Sequence, residues 1–238
     1  MRLKRILIVV VLITLLAPIS VQAKSPAAPL SVPGCSLPDS DADGLEILSN
    51  YTPGYWWDHT NLTIAVQAHP RATAAQLGAI NAAIATWDAT LRDCFDDLIT
   101  LTNVTGARNR RRGVDIILHY VPTAGGVSFE GYAVCGNHKC NNILVKSDPP
   151  PSQNIPPFDP EYLGWVTLHE IGHALGLGHA TNLLESTDIM GYGWPDLGDP
   201  NPIISDCDMD ALRFVFAWAF EGSAPHEPAE GPYDCSLD

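Results

Sequence analysis

The sequence predicts an α+β fold, in which a half built from strands and one long helix precedes a mostly helical half. Apolar and polar residues alternate over 62–68, which is typical of a half-buried strand. Apolar residues then recur every three or four positions from Leu77 to Leu91, which is typical of a helix that buries one face. Helix start and stop signals follow at 159–176, and a further helix start signal lies at 205–208. We therefore expect several strands and one long helix, followed by two further helices.

Local patterns justify each element in order. A capping box at Thr73 and Gln76 begins the long helix. Asp159 as N-cap, Pro160 at the first helical position and Gly176 as C-cap delimit the second helix. Further short strands are predicted at 99–102, 114–121, 131–134 and 143–145. The third helix begins at 205–208, with one apolar face formed by Met209, Leu212, Phe216 and Ala219.

Residues 1–23 have the features of a secretory signal peptide. Basic residues precede an apolar run at 6–16, and residues 21–23 offer a cleavage site. The run is shorter than the about 20 apolar residues of a membrane span, although an uncleaved anchor is the alternative. We therefore expect a secreted, extracellular protein with no membrane segment once the signal is removed. The remaining chain divides into an N-terminal extension (24–53), one domain (54–222) and a C-terminal tail (223–238).

The charge balance excludes two classes of partner. The chain has 13 basic and 27 acidic residues and a net charge of −14. Because the signal peptide holds three basic and no acidic residues, the remaining chain carries −17. Such a surface is unsuited to nucleic acid, which requires clustered cations against phosphate, or to an anionic membrane. We expect a monomer with no nucleic-acid partner.

Six cysteines in an exported chain predict disulfide bonds. Fifteen pairings are compatible with six cysteines. Cys135 and Cys140 are the best local pair, because Gly136 and Asn137 allow a tight loop between them. The other pairings stay open.

The chemistry is concentrated between His169 and His179. His169 and His173 are four residues apart, so a helix places both imidazoles on one face. Gly176 permits a turn after the helix, and His179 can then reach the same point. Three imidazoles at about 2.0–2.1 Å from Zn²⁺ leave a fourth position open, as in catalytic zinc sites. We therefore predict that His169, His173 and His179 bind zinc.

Glu170 is the predicted general base and acid of this site. Zinc lowers the pKa of water toward about 7, and Glu170 can take the proton and pass it to a leaving amine. Two histidines at this spacing also occur on solvated helix faces. Here the neighbouring residues are apolar, so His169 and His173 would be half-buried, which is costly without a partner. The spacing of Gly176 and His179 further favours a metal site.

This stretch resembles the extended zinc motif of the metzincin peptidases, and its flanks are most similar to matrixins. Met190, 11 residues after His179, fits their Met-turn. The resemblance covers 54–220 in architecture and is specific over 166–192. It implies a metzincin-like catalytic domain at 54–222, in which a mixed twisted sheet with a long helix precedes the zinc-binding helix, the Met-turn and a C-terminal helix. It further implies zinc as cofactor, Met190 in a structural role and a protein or peptide as substrate. It also implies that strand 131–134 pairs with the extended substrate.

The sequence departs from the matrixin pattern after Met190. Matrixins commonly have Tyr directly after this methionine, whereas here Gly191 intervenes and Tyr192 follows. The spacing is more similar to astacins and serralysins, which implies that Tyr192 stabilises the transition-state oxyanion; a packed Tyr is the alternative. Astacins carry Glu after the third histidine, where this chain has Ala180. The matrixins' second zinc site has no counterpart, so His119 is expected to be an ordinary strand residue.

Two features of the N-terminal extension have open alternatives. The region of Cys35 loosely resembles the matrixin cysteine switch, but the flanking Arg and Gly are absent, and a disulfide is the favoured role. Asp39, Asp41 and Asp43 with Gly44 have the spacing of a calcium loop. Position twelve is not the Glu of an EF-hand, and a solvated acidic turn is the alternative to bound Ca²⁺.

Taken together, the sequence predicts a secreted zinc metalloendopeptidase of matrixin-like type. One alternative is another metzincin branch, astacin-like or snapalysin-like, with the same chemistry. A second alternative, from a different class, is a secreted zinc-containing binding module without catalysis. Glu170 disfavours the binding module, because a purely structural site has no need of that residue.

Overall fold

The structure, a computed structural model, describes residues 56–106, 113–122, 131–136, 139–147, 159–179, 188–191 and 202–228. These residues form one mixed sheet, two long helices and two shorter ones. The strands are β1 (Asn61–Ala68), β2 (Thr100–Asn103), β3 (Ile116–Val121), β4 (Gly131–Gly136) and β5 (Lys139–Lys146). Their order in the sheet is β2-β1-β3-β5-β4. β1, β2, β3 and β5 are parallel, and β4 runs antiparallel to β5 at one edge. The α+β prediction is confirmed at this level.

The helices begin where the capping signals predict. α1 (Ala74–Cys94) starts with the capping box of Thr73 and Gln76, and α2 (Pro160–Leu175) runs from Asp159 to Gly176. α1 lies against β2, α2 lies against β4 and β5, and the two helices contact each other. Buried side chains from the sheet, from these two helices and from residues 204–218 form one apolar core, which includes Trp87. No helix within the described residues is long and apolar enough to span a membrane.

Two predicted elements need correction. The third helix was expected to continue through Ala219, but α3 (Asp206–Val215) ends before Phe216, and a short α4 (Ala217–Phe220) follows. Phe216 leaves helical geometry, with φ −103° and ψ 22°. The strand predicted at 143–145 begins four residues earlier, because 139–142 pair with β4 in a hairpin despite their polar composition.

The β4–β5 hairpin is closed by a disulfide between Cys135 and Cys140, as predicted. Cys94 and Cys207 are also disulfide-bonded, so all four described cysteines are oxidised. The predicted signal peptide and the extension at 24–53 lie outside the described residues.

Candidate metal centre

The candidate site is built on α2 and on the turn that ends it. Gly176 has φ 118°, a left-handed conformation that residues with a Cβ rarely adopt. A Cβ at this position would also lie 2.7 Å from Cγ1 of Val215 on α3. The amide of Leu177 donates to the carbonyl of Gly172 and closes the turn. The chain therefore leaves the helix axis and carries His179 back toward His169 and His173.

Three histidine nitrogens meet at one point. The Nε2 atoms of His169 and His173 are 3.0 Å apart, those of His173 and His179 are 3.1 Å apart, and those of His179 and His169 are 3.2 Å apart. Tetrahedral coordination at 2.0–2.1 Å places ligand nitrogens about 3.3 Å apart. The triangle is close to that size. The three residues are the group within the described part of the chain that could hold a metal ion.

Backbone carbonyls fix the tautomers of two of these rings. Nδ1 of His169 donates to the carbonyl of Ile189 at 2.7 Å, and Nδ1 of His173 donates to the carbonyl of Leu177 at 2.8 Å. A carbonyl only accepts, so the proton of each neutral ring is on Nδ1 and the lone pair is on Nε2. These lone pairs point toward each other. A cation placed between them would turn their repulsion into attraction.

Burial keeps the three imidazoles neutral, which is the form that binds metal. Burial, and then the charge that His173 would carry, lower the pKa of His169 to about 3 and that of His179 to about 4. Burial also lowers the pKa of His173. Near neutral pH all three rings are therefore available as ligands without first losing a proton.

Glu170 lies beside these histidines, and one of its carboxylate oxygens has no hydrogen-bond partner. It is three positions before His173 on α2, a spacing that makes the two side chains neighbours. Its side chain is buried, and its carboxylate accepts a hydrogen bond from the amide of Ala133 on β4. Its Oε2 is buried without a hydrogen-bond partner. Burial raises the pKa of Glu170 to about 8, and an oxygen of this kind is a docking point for water.

The edge strand β4 makes room for this carboxylate. A Cβ at Gly131 would lie 2.7 Å from Oε1 of Glu170 and 2.8 Å from Cγ1 of Val166. Any larger residue at Gly131 would therefore displace Glu170 or the strand. The absence of a side chain here and the amide of Ala133 together position the carboxylate, a role for Gly131 that the sequence pattern did not reveal.

Met190 packs directly behind α2. Its side chain is fully buried, and a Cβ at Gly172 would collide with its Sδ. Gly172 immediately precedes His173, so the methionine lies against the backbone between the two helical histidines. This placement agrees with the structural role expected for Met190.

Two tryptophans hydrogen-bond to the backbone of α2. The indole of Trp87 on α1 donates to the carbonyl of Leu168 at 2.8 Å, and that of Trp57 donates to the carbonyl of Ala174 at 2.8 Å. These carbonyls flank the segment that holds His169 and His173. Nothing in the spacing of the tryptophans indicates such long-range bonds, so the sequence could not have revealed them.

Several predicted site residues cannot be placed. Tyr192, the candidate calcium ligands Asp39, Asp41 and Asp43, and Cys35 lie outside the described residues. His119 lies in β3, where its ring bonds the side chain of Asn142 at 3.2 Å, as expected for an ordinary strand residue. The structure thus brings together the three histidines, Glu170 and Met190.

The chain matches none of the protein-family models with which it was compared, and no curated protein is detectably similar to it. The site is therefore interpreted from its own residues. Those residues show a three-histidine group that could bind a metal ion. Beside it lies a buried carboxyl group with one unpartnered oxygen.

Proposed function

We propose that the protein is a secreted zinc-dependent endopeptidase of the matrixin-like metzincin type. The observation that carries this proposal is the convergence of three Nε2 atoms next to the unpartnered Oε2 of Glu170. A purely structural site has no need of such a carboxyl group. The Cys135–Cys140 disulfide supports an exported protein.

Zinc fits the donor set better than Mg²⁺ or Ca²⁺. Imidazole nitrogens are good ligands of Zn²⁺, whereas Mg²⁺ and Ca²⁺ prefer oxygen ligands. His169, His173 and His179 would hold the ion, and three protein ligands are typical of catalytic zinc. When bound, zinc supplies a Lewis acid that polarises a peptide carbonyl and lowers the pKa of water.

Glu170 performs the proton transfers in this proposal. The amide of Ala133 holds the carboxylate, so the unpartnered Oε2 is free to accept a proton from the attacking water. The same oxygen then returns the proton to the amine that leaves when the peptide bond breaks. Burial raises the pKa of Glu170 in the metal-free site, and the positive charge of a bound Zn²⁺ would lower it toward the range in which the carboxylate accepts a proton near neutral pH.

The edge of β4 is the proposed place for the substrate backbone. Among the described strands, β4 pairs only with β5, so its outer edge can pair with an extended peptide. Ala133 of this strand bonds Glu170, so a peptide on the edge would lie beside the site.

Cleavage of casein and of a broad peptide library by the purified chain tests the proposal. We expect hydrolysis that is lost with a chelator, restored by Zn²⁺ and abolished by Glu170→Ala. A folded, zinc-loaded wild type that cleaves nothing would instead favour a zinc-containing binding module. The cleavage-site profile from the library would also define the specificity.

A further inference from the structure

A buried polar cluster lies behind the turn that carries Met190. It consists of Asp188, Ser205 and Asp208, whose side chains are almost completely excluded from solvent. Burying two carboxyl groups close together is costly, and it raises the pKa of both. Helix capping alone does not require the second carboxyl group. We therefore looked for a contribution of the cluster other than the stabilisation of α3.

Hydrogen bonds join the members of this cluster into one unit. The hydroxyl of Ser205 donates to Oδ2 of Asp188 at 2.7 Å. The amide of Ser205 donates to Oδ2 of Asp208 at 2.9 Å, and the amide of Asp208 donates to the hydroxyl of Ser205 at 3.2 Å. Ser205 and Asp208 thus form the capping box of α3, and Asp188 is fastened to it.

The same unit fixes the backbone of residues 188–191. Oδ1 of Asp188 accepts from the amide of Met190 at 2.7 Å, and the amide of Gly191 donates to the carbonyl of Asp188 at 3.0 Å. The amide of Ile189 donates to the carbonyl of Ile203 at 2.8 Å. The orientation of the peptide group between Ile189 and Met190 is therefore set from both sides.

That peptide group contacts a predicted metal ligand. The carbonyl of Ile189 accepts from Nδ1 of His169 at 2.7 Å. Groups that hydrogen-bond the outer nitrogen of a metal-binding histidine fix its tautomer and ring orientation. A continuous path thus runs from the start of α3 through Ser205 and Asp188 to His169.

We infer that Asp188, Ser205 and Asp208 are positioning residues, which hold the carbonyl of Ile189 so that Nε2 of His169 points at the metal. This inference rests on the metal site of the proposed function. It predicts that loosening the cluster weakens metal binding even where the protein stays folded. The capping box of α1 offers a matched control, because Thr73 caps a helix that supplies no histidine.

The test compares Ser205→Ala with Thr73→Ala in the full chain. Both variants lose an N-cap hydroxyl, so both should lower the Tm of the metal-free protein. We expect Ser205→Ala to raise the Kd for Zn²⁺, measured by competition with a chromophoric chelator, about ten- to a hundredfold. Thr73→Ala should leave the Kd for Zn²⁺ unchanged. Ser205→Thr, which keeps the hydroxyl, should have a Kd close to that of the wild type. A Ser205→Ala variant that lowers the Tm but leaves the Kd unchanged overturns the inference.

Asp188→Ala decides the question if Ser205→Ala does not fold. It removes both the acceptor of the Ser205 hydroxyl and the acceptor of the Met190 amide. A several-fold rise in the Kd for Zn²⁺ supports the inference, and an unchanged Kd overturns it. A folded wild type that binds no Zn²⁺ would overturn the proposed function itself, so the two failures are distinguishable.

Discussion

Helices α1 and α2 contact each other and the same sheet, but they bury different kinds of side chain. The buried positions of α1 are apolar apart from Gln76, whose side chain completes the N-terminal cap. α2 buries Thr167, His169 and Glu170 among its apolar residues. Thr167 is satisfied by a bond to the carbonyl of Leu163, whereas Glu170 leaves one oxygen without a partner.

This difference distinguishes residues that stabilise the fold, on α1, from residues of the candidate site, on α2. Burial of apolar groups on α1 contributes to stability directly. Burial of ionisable groups on α2 opposes stability, and it shifts the pKa of His169 and Glu170 away from their ordinary values. Buried ionisable groups with shifted pKa values, which oppose stability, are expected at functional sites. Substitutions on the two helices should therefore affect different measured quantities.

The largest expected effect is that of Glu170→Gln on peptide hydrolysis. Gln keeps the shape but cannot accept a proton, so kcat/KM should fall by about 10²–10⁴-fold, or about 3–5 kcal/mol of transition-state stabilisation. Glu161→Gln, at an exposed position in the first turn of the same helix, is the control and should have wild-type kinetics. Kinetics on a peptide taken from the cleavage library measure both. Equal rates for Glu170→Gln and wild type would show that Glu170 transfers no proton in the reaction.

Ile84→Ala on α1 should show the opposite pattern. Ile84 is fully buried in the core, and its truncation should lower the free energy of unfolding by about 2–5 kcal/mol. The Kd of the folded fraction for Zn²⁺ should stay at the wild-type value. Denaturant unfolding and chelator competition provide the two measurements. A large loss of zinc affinity would show that α1 also determines the geometry of the site.

The pH dependence of stability should reveal the buried carboxyl group of α2. In the metal-free protein the pKa of Glu170 is raised from 4.5 to about 8. The folded state keeps a proton that the unfolded chain releases, so this group's contribution to stability falls as the pH rises from about 4.5 to about 8. Glu170→Gln lacks this loss, and its stability advantage over wild type should grow across that range. Unfolding in the presence of a chelator at several pH values tests this, and parallel curves would contradict it.

Two glycines provide the smallest and most local comparison. A Cβ at Gly172 on α2 would collide with Sδ of Met190, whereas a Cβ at Gly78 on α1 would meet nothing within 4 Å. Gly172→Ala should therefore cost about 1–3 kcal/mol of stability and weaken Zn²⁺ binding. Gly78→Ala should stabilise the protein by up to about 1 kcal/mol through helix propensity. Thermal unfolding measures both, and a stabilising Gly172→Ala would show that Met190 can move away without cost.

The sequence predicted the elements that local chemistry determines. The caps at Thr73, Asp159 and Ser205 and the turn at Gly176 have local signals, and the structure confirms them. The Cys135–Cys140 disulfide was predictable because only a short loop separates the two residues. The boundaries at Phe216 and at the start of β5 were wrong, because tertiary packing and hairpin pairing decided them rather than propensity.

Contacts between distant parts of the chain were beyond prediction from one sequence. The motif indicates that His169 and His173 share a helix face, but not that Ile189 and Leu177 orient their rings. Likewise, the order of the strands in the sheet places Ala133 beside Glu170, and no local pattern carries that information. These hydrogen bonds depend on how the sheet and the helices pack in three dimensions.

Titration of the metal-free protein with Zn²⁺, with the rate of peptide hydrolysis as the readout, distinguishes a catalytic metal centre from a structural one. We expect a rate that rises linearly up to one equivalent of Zn²⁺ and then stays constant, because His169, His173 and His179 form one site. His179→Ala should need a large excess of Zn²⁺ to reach any activity. A wild type that binds one equivalent tightly and hydrolyses no peptide would contradict the claim that this metal centre is catalytic.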